Sequence, residues 1–260
     1  MINSLAEFFC LHRKNLLANL VFRNFKVKYR GSALGYLWTL GVPILQVLVF
    51  YFLYQVILKI PIPNYLAFIV TGIFPWVFFS ATVGESLDSL VVGQNLLMNL
   101  PVPIQAFPAA SVVSNFVSFL LAVPILVGVL LFSGLTLNFN ALLFFPLSMG
   151  LFVFTYSFSF ILACFYVMFR DLKHMFAIII QLWMYFTPVL YSADLIPSRF
   201  QWTLFANPLA GYFTAIRDVL IRGTAPDPVM VAAFAAWTLG FFVFANVLRL
   251  RVGANLVERI

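Results

Sequence analysis

The sequence predicts an all-α integral membrane protein: six transmembrane helices, an amino-terminal interfacial helix, and short re-entrant helices between spans five and six. Three observations carry this. First, 63% of the residues are hydrophobic and 9% charged, with a mean hydropathy of +1.04, where a soluble domain carries about 25% charge. Second, apolar segments run at roughly 34–58, 65–88, 106–132, 141–169, 175–192 and 228–248, and about 20 apolar residues cross a hydrocarbon layer of about 30 Å as a helix. Third, the stretch after the fifth segment is broken by Pro188, Pro197 and Pro208. A transmembrane barrel is excluded because the runs are continuous, as in LLAVPILVGVLLF, whereas barrel strands alternate apolar and polar residues.

Residues 1–33 precede the first span. Leu16, Leu17, Leu20 and Val21 share one arc at helical spacing, Asn15, Asn19, Arg23 and Lys26 fall outside it, and Arg13 interrupts it. The pattern predicts an amphipathic helix in the cytoplasmic interface; a short basic flank orienting span one is the alternative. The six-span domain occupies 34–260. From Leu34 to Leu58 there is no ionisable acid or base, as a lipid-facing helix requires. The loop after span two, SLVVGQNLLMNLPVPIQ, is uncharged. It predicts a short helix over about 90–101 that Pro101 stops. Leu96, Leu97 and Leu100 share one face of it. Too short to cross, such an apolar helix calls for a protein partner or rests on headgroups. FRDLKH, residues 169–174, reads as a charged turn. Between spans five and six, segments 195–206 and 209–221 are apolar but short. Irregular backbone at membrane depth is tolerated inside protein or beside a water-filled cavity. The region 191–222 therefore reads as re-entrant, or as an outer loop resting on the surface.

An even number of spans puts both ends on one side. Arg13, Lys14, Arg23, Lys26, Lys28, Arg30, Arg170, Lys173, Arg249, Arg251 and Arg259 fall on that side, and Lys59, Arg199, Arg217 and Arg222 on the other. The excess of basic residues assigns the first side to the cytoplasm. The net charge of +7 is then mostly an orientation signal and not a nucleic-acid footprint. No cleavable signal is expected, and span one directs its own insertion. Cys10 and Cys164 fall in different compartments of this topology and read as small apolar fillers.

No catalytic constellation is legible. The acids are Glu7, Glu85, Asp88, Asp171, Asp194, Asp218, Asp227 and Glu258, and His12 and His174 both fall in flanks. HExxH, CxxC, GxSxG and the phosphate loop GxxxxGK[ST] are all absent from the sequence, and two separated His and two separated Cys give no metal ligand set. The middles of the spans hold no ionisable group, which argues against proton coupling. Glu85 and Asp88 lie at i and i+3 near the inner end of span two, either contacting a partner or simply solvated. Gln46, Gln55 and Gln181 lie within spans and are expected to face the bundle interior or a passage. Tyr51, Tyr54, Tyr65, Tyr185, Tyr191, Trp202 and Phe205 fall toward the outer side, as an interfacial belt or as rings that stack on sugars.

Four blocks then carry a resemblance: FKVKYRGSALGYLWTLGVPIL (25–45), TGIFPWVFFS (71–80), the SLVVGQNLLMNLPVP loop with FRDLKH, and TPVLYS…IP…NPLAGYFTAIRDVL (187–220). Together they resemble the type-2 ABC transporter permeases that export O-antigen, capsular polysaccharide and teichoic acid. The resemblance implies a permease in the bacterial inner membrane with no nucleotide site of its own. It would pair with a second copy of itself and with two ATPase subunits that bind ATP and Mg. It further implies an interface helix at the amino terminus and a coupling helix after span two, giving Asn95, Leu96, Leu97, Met98, Asn99 and Leu100, with Glu85, as ATPase-docking residues. A lipid-linked polysaccharide, O-antigen foremost, would pass between the two permeases. Lys28, Tyr29 and Arg30 are expected near its lipid pyrophosphate, since Arg forms forked contacts to phosphate; membrane anchoring is the competing role. Tyr51, Tyr54, Tyr185, Tyr191, Trp202 and Phe205 are the expected channel aromatics. Related coupling loops often carry lysines where Leu97, Met98 and Asn99 stand, so docking here would rest on apolar burial. A permease for a drug or lipo-oligosaccharide and an intramembrane glycan-processing enzyme are the alternatives.

Overall fold

The computed structural model describes residues 16–26, 28, 35–99 and 102–257. No strand occurs among them. Residues 16–26 form helix α1. It is followed by α2 (Trp38–Tyr51, running on as a π-helix over Phe52–Ile57), α3 (Tyr65–Leu87), α4 (Ser89–Val92) and α5 (Gln94–Asn99). Then come α6 (Ala106–Phe132), α7 (Phe144–Met168, entered by a 3-10 turn at Phe139–Leu143) and α8 (Leu172–Phe186). The chain closes with α9 (Trp202–Ala206), α10 (Ala210–Arg217, running on as a π-turn over Asp218–Arg222) and α11 (Pro228–Val257).

Among the described residues, five helices are long and apolar enough to cross a membrane: 38–57, 65–87, 106–132, 139–168 and 228–251. The fifth predicted span, 175–192, is shorter than expected. Its helix α8 stops at Phe186 after 15 residues, about 22 Å at 1.5 Å per residue. Thr187 is extended (φ −96°, ψ 139°), because Pro188 disfavours helical geometry in the residue before it.

Helix α3 is the axis of the bundle, with 78% of its apolar window buried. It packs on α6, α7, α2 and α8. Phenylalanine makes this possible. Phe79 of α3 stacks near Phe154 of α7 at 5.8 Å and meets Trp183 of α8 edge-on at 5.5 Å. Phe154 in turn meets Phe241 of α11 edge-on at 5.4 Å. One ring chain thus ties four helices, each pair adding about 0.5–1.5 kcal/mol beyond its buried area. By contrast, the apolar window of α2 is only 11% buried.

A second core lies at the amino-terminal end of the bundle. Leu20 of α1, Leu90 of α4, Leu97 of α5, Phe107 of α6 and Phe160 and Cys164 of α7 belong to it. Leu16, Leu17 and Val21 pack against the same cluster, so the arc predicted for α1 faces protein.

Phe154→Ala removes a fully buried ring and is expected to cost about 3–5 kcal/mol. In detergent the apparent melting temperature should fall by roughly 10 °C, with Phe154→Leu falling much less.

Candidate functional site

Polar side chains gather at both ends of the bundle. At the amino-terminal end, Lys28 Nζ pairs with Glu85 Oε1 at 2.5 Å and donates to Asn115 Oδ1 at 2.8 Å. Asn115 Nδ2 donates to Glu85 Oε2 at 2.7 Å and to the Ser111 carbonyl at 3.0 Å. This closed triangle joins the amino-terminal segment to α3 and α6. Asn115 is buried within α6, where an amide without partners would carry a desolvation penalty; the triangle supplies them. Beside it, Lys173 at the start of α8 pairs with Asp88 at 2.5 Å. The Asp88 hydrogen bond, and then its charge, raise the Lys173 pKa above its ordinary value, so the cation persists throughout the neutral range.

Helices α4 and α5 form a two-step turn between α3 and α6. Gly93 accepts the backbone of both Leu96 and Leu97. Leu97 points into the second core, while Val92 is 69% and Met98 57% exposed. Asn95 and Asn99 also face outward, and Asn99 Nδ2 donates to the Asn95 carbonyl at 2.8 Å. The outward face is therefore uncharged, with two apolar points.

At the opposite end, the turn after α8 is buried, Thr187, Val189 and Leu190 almost completely. Outside a helix its carbonyls need partners. Arg217 of α10 supplies them. One terminal nitrogen donates to the Pro188 carbonyl and the other to Val189 at 2.6 Å. The guanidinium carbon lies 3.6 Å from the centre of the Phe68 ring, and no carboxylate pairs with Arg217 among the described residues. Tyr65 donates to the Leu190 carbonyl at 3.1 Å. Asn207 closes the other side: its Nδ2 donates to the Phe186 carbonyl at 3.2 Å and Thr187 Oγ1 at 2.9 Å. Its Oδ1 accepts from Leu209 N at 3.1 Å. Two glycines permit the close approach. A Cβ at Gly72 would lie 2.5 Å from the Val189 carbonyl, and one at Gly211 2.3 Å from the Met230 carbonyl of α11.

Rings continue this cluster toward α2: Tyr54, Tyr65 and Phe68 stack in sequence at 5.9 and 6.0 Å. Next to it lies a cavity of about 420 Å³ walled by the loop at Pro61–Pro63, the 192–195 turn and α10. Arg222 bridges Asp194 at 2.7 Å and Asp218 at 3.0 Å across its rim. Gly223 ends the π-turn at φ +67°, and its carbonyl accepts from Asn138 at 2.5 Å and Asn140 at 2.8 Å, which joins the α6–α7 loop to α10.

A family model described as ABC-2 type transporter matches residues 15–221. The chain belongs to the ABC-2 type transporter family. It is 33% identical over 211 residues to a Klebsiella pneumoniae protein named O-antigen export system permease protein RfbA, covering 81% of this chain and 82% of that one. A second Klebsiella pneumoniae protein of the same name is 31% identical over 210 residues, 80% and 81% of the two chains. A Myxococcus xanthus protein of that name is 33% identical over 225 residues, 86% of each chain. As an ABC-2 family member this is the multi-pass membrane subunit of a transporter and not an enzyme, and its transporter includes an ATPase partner.

Against that family frame, the predicted residues distribute unevenly. Lys28 and Glu85, expected in separate roles, form one ion pair. Tyr29, Arg30 and Leu100 lie outside the described residues. Gln46 and Gln181 are exposed on α2 and α8, not inside this chain's bundle, because Val47 and Phe176 take the inward positions there. Gln55 is half-buried. Tyr51, Tyr54 and Tyr191 are half-buried, whereas Tyr185, Trp202 and Phe205 are exposed. The predicted half-helix at 195–206 is instead a 3-10 turn at Ser198–Phe200 and the five-residue α9, with Pro197 (ψ 145°) breaking helical geometry inside the predicted segment. Sequence reasoning missed Asn115, Asn207 and Arg217 as working residues. The signal for Asn115 was a lone amide in an apolar span, and for Arg217 a cation amid apolar neighbours that had been counted only toward orientation.

Arg217→Lys should weaken the clamp, because an ammonium cannot span two adjacent carbonyls as a fork does. At about 1.5–3 kcal/mol per charged hydrogen bond, limited proteolysis should cut residues 187–201 at least tenfold faster than in the unmodified chain.

Proposed function

We propose that this chain is the permease of an ATP-driven exporter that moves a lipid-linked polysaccharide, O-antigen foremost, out of the cytoplasm across a bacterial inner membrane. The observation that carries the reading is its 31–33% identity, over about four fifths of its length, to proteins named O-antigen export permeases. In this reading both termini are cytoplasmic, in line with the excess of basic residues at that end. Helix α8 and the buried turn after it together make the fifth of six crossings. The region 191–222 re-enters from the outer side, supported by the burial of 209–213 and 215–220 and by the Arg217 clamp.

Two copies of the chain would enclose the path. The exposure of α2 and of α8 in one copy, each carrying an outward glutamine, supports this, since a lone glutamine facing lipid is unfavourable. Tyr51, Tyr54, Tyr185, Tyr191, Trp202 and Phe205 would offer ring faces to sugars along it. Energy enters at the opposite face. Two ATPase subunits bind ATP and Mg, and α4–α5 transmits their motion. Val92 and Met98 would bury into the ATPase, with Asn95, Leu96, Asn99 and Leu100 as further docking residues and Leu97 tying the turn to the bundle. Glu85 acts at one remove, through its pair with Lys28. Tyr29 and Arg30 are the proposed contacts to the lipid pyrophosphate.

Co-purification tests the energy coupling. An ATPase encoded beside this chain should bind it, and its hydrolysis should respond to the permease. Met98→Asp should cut that response at least tenfold while leaving the permease folded; an ATPase that neither binds nor responds refutes the reading. The phosphate role separates by substitution: Arg30→Ala should abolish glycan export and Arg30→Lys should retain a small fraction of it. Equal export from all three proteins leaves Arg30 as a membrane anchor only.

A further inference from the structure

We propose that the cavity between the Pro61–Pro63 loop, the 192–195 turn and α10 is a binding site for a single neutral sugar residue, a proposal that rests on the glycan-export reading. The argument begins with charge. Two guanidinium groups, Arg217 and Arg222, and two carboxylates, Asp194 and Asp218, line the cavity. Each is already engaged. Arg222 spends its terminal nitrogens on Asp194 and Asp218 at 2.7 and 3.0 Å, and Arg217 spends its own on the Pro188 and Val189 carbonyls. The four charges sum to zero, so an anion or a cation entering would bring an unbalanced charge beside buried groups.

What remains unspent is hydrogen-bonding capacity of the neutral kind. Carboxylate oxygens hold about four acceptor positions, and hydroxyls both donate and accept. Asp194 Oδ2 takes Arg222 and the Ser192 hydroxyl, leaving Oδ1 open in the described contacts. The Thr214 hydroxyl donates to Ala210 at 3.0 Å and keeps its acceptor side. Arg217 is 94% buried, with a relative exposure of 6%, and its Nε has no partner. Apolar side chains, among them Pro61, Ile62 and Ile221, also line the cavity. A sugar ring has this division, hydroxyls around its rim and C–H groups on its face.

Size permits this as well: at about 420 Å³ the cavity has room for a sugar ring, and the site would engage one residue of a passing or departing chain at the far end of the path.

Saturation-transfer NMR on the full chain in lipid nanodiscs tests this. The probes are methyl glycosides of glucose, galactose, mannose, rhamnose and N-acetylglucosamine, with glucuronate and glycerophosphoethanolamine as charged comparators. At least one neutral glycoside should receive saturation and the comparators should not. Ile62→Trp, which fills the cavity, should reduce the signal at least tenfold, and Thr214→Val, nearly isosteric, should reduce it several-fold even if the tryptophan disturbs folding. Silence from every glycoside, a signal unchanged in Thr214→Val, or binding of glycerophosphoethanolamine alone (a lipid-headgroup site) overturns the proposal. Glycan export by the unmodified chain in cells is measured separately: its loss refutes the export reading, whereas export with silent NMR refutes only the cavity site.

Discussion

Backbone that leaves helical geometry among apolar neighbours must find new hydrogen-bond partners, and in this molecule Arg217 provides them. The chain stops α8 at Phe186 and continues through the buried residues Thr187 to Leu190. Two of the exposed carbonyls are taken by one guanidinium, a third by the Tyr65 hydroxyl. The same guanidinium lies on Phe68 of α3, so the axis helix, the end of α8 and α10 are fastened at one point. Gly72 follows from this constraint, because a methyl group there would strike the Val189 carbonyl.

The amino-terminal end solves a different problem, that of attaching a segment outside the bundle to helices within it. Apolar contact alone would let α1 slide along the core surface. The Lys28–Glu85–Asn115 triangle fixes position as well as proximity, since each member satisfies two others. Its pair is about one third exposed at each side chain, so its net stabilisation is small, roughly 1 kcal/mol or less. Its value is geometric: movement of the amino-terminal segment is felt on α3 and α6 together.

Much of this was legible before any coordinates. Long apolar runs gave the five crossing-length helices within a few residues, because hydropathy over about 20 residues averages out local accident. The leucines and prolines of the 89–105 loop predict one short helix, where the structure has two, α4 and α5, separated at Gly93. Which leucine turned inward was not legible, since Leu97 is chosen by packing against Leu90 and Phe107 rather than by its own spacing. Pairings such as Lys28 with Glu85, residues 57 apart in sequence, leave no periodic trace. Arg217 read as one more outer charge because burial is a property of neighbours that arrive from elsewhere in the chain. The glutamines are legible only in part for a related reason: an amide in an apolar segment signals a polar environment, yet does not say whether that environment lies within this chain or beyond it.

The crossing-length helices are unequal, from 20 residues in the first to 30 in the fourth, about 30 and 45 Å at 1.5 Å per residue. A hydrocarbon layer of one thickness cannot match both upright. The longer must lean or lift the lipid around it, at fractions of a kcal/mol per Å of mismatch. The first helix, the least buried of the five, is the easiest to re-angle. Acyl-chain length is thereby a variable to which this protein's shape responds, with the response greatest in the helix that the core covers least.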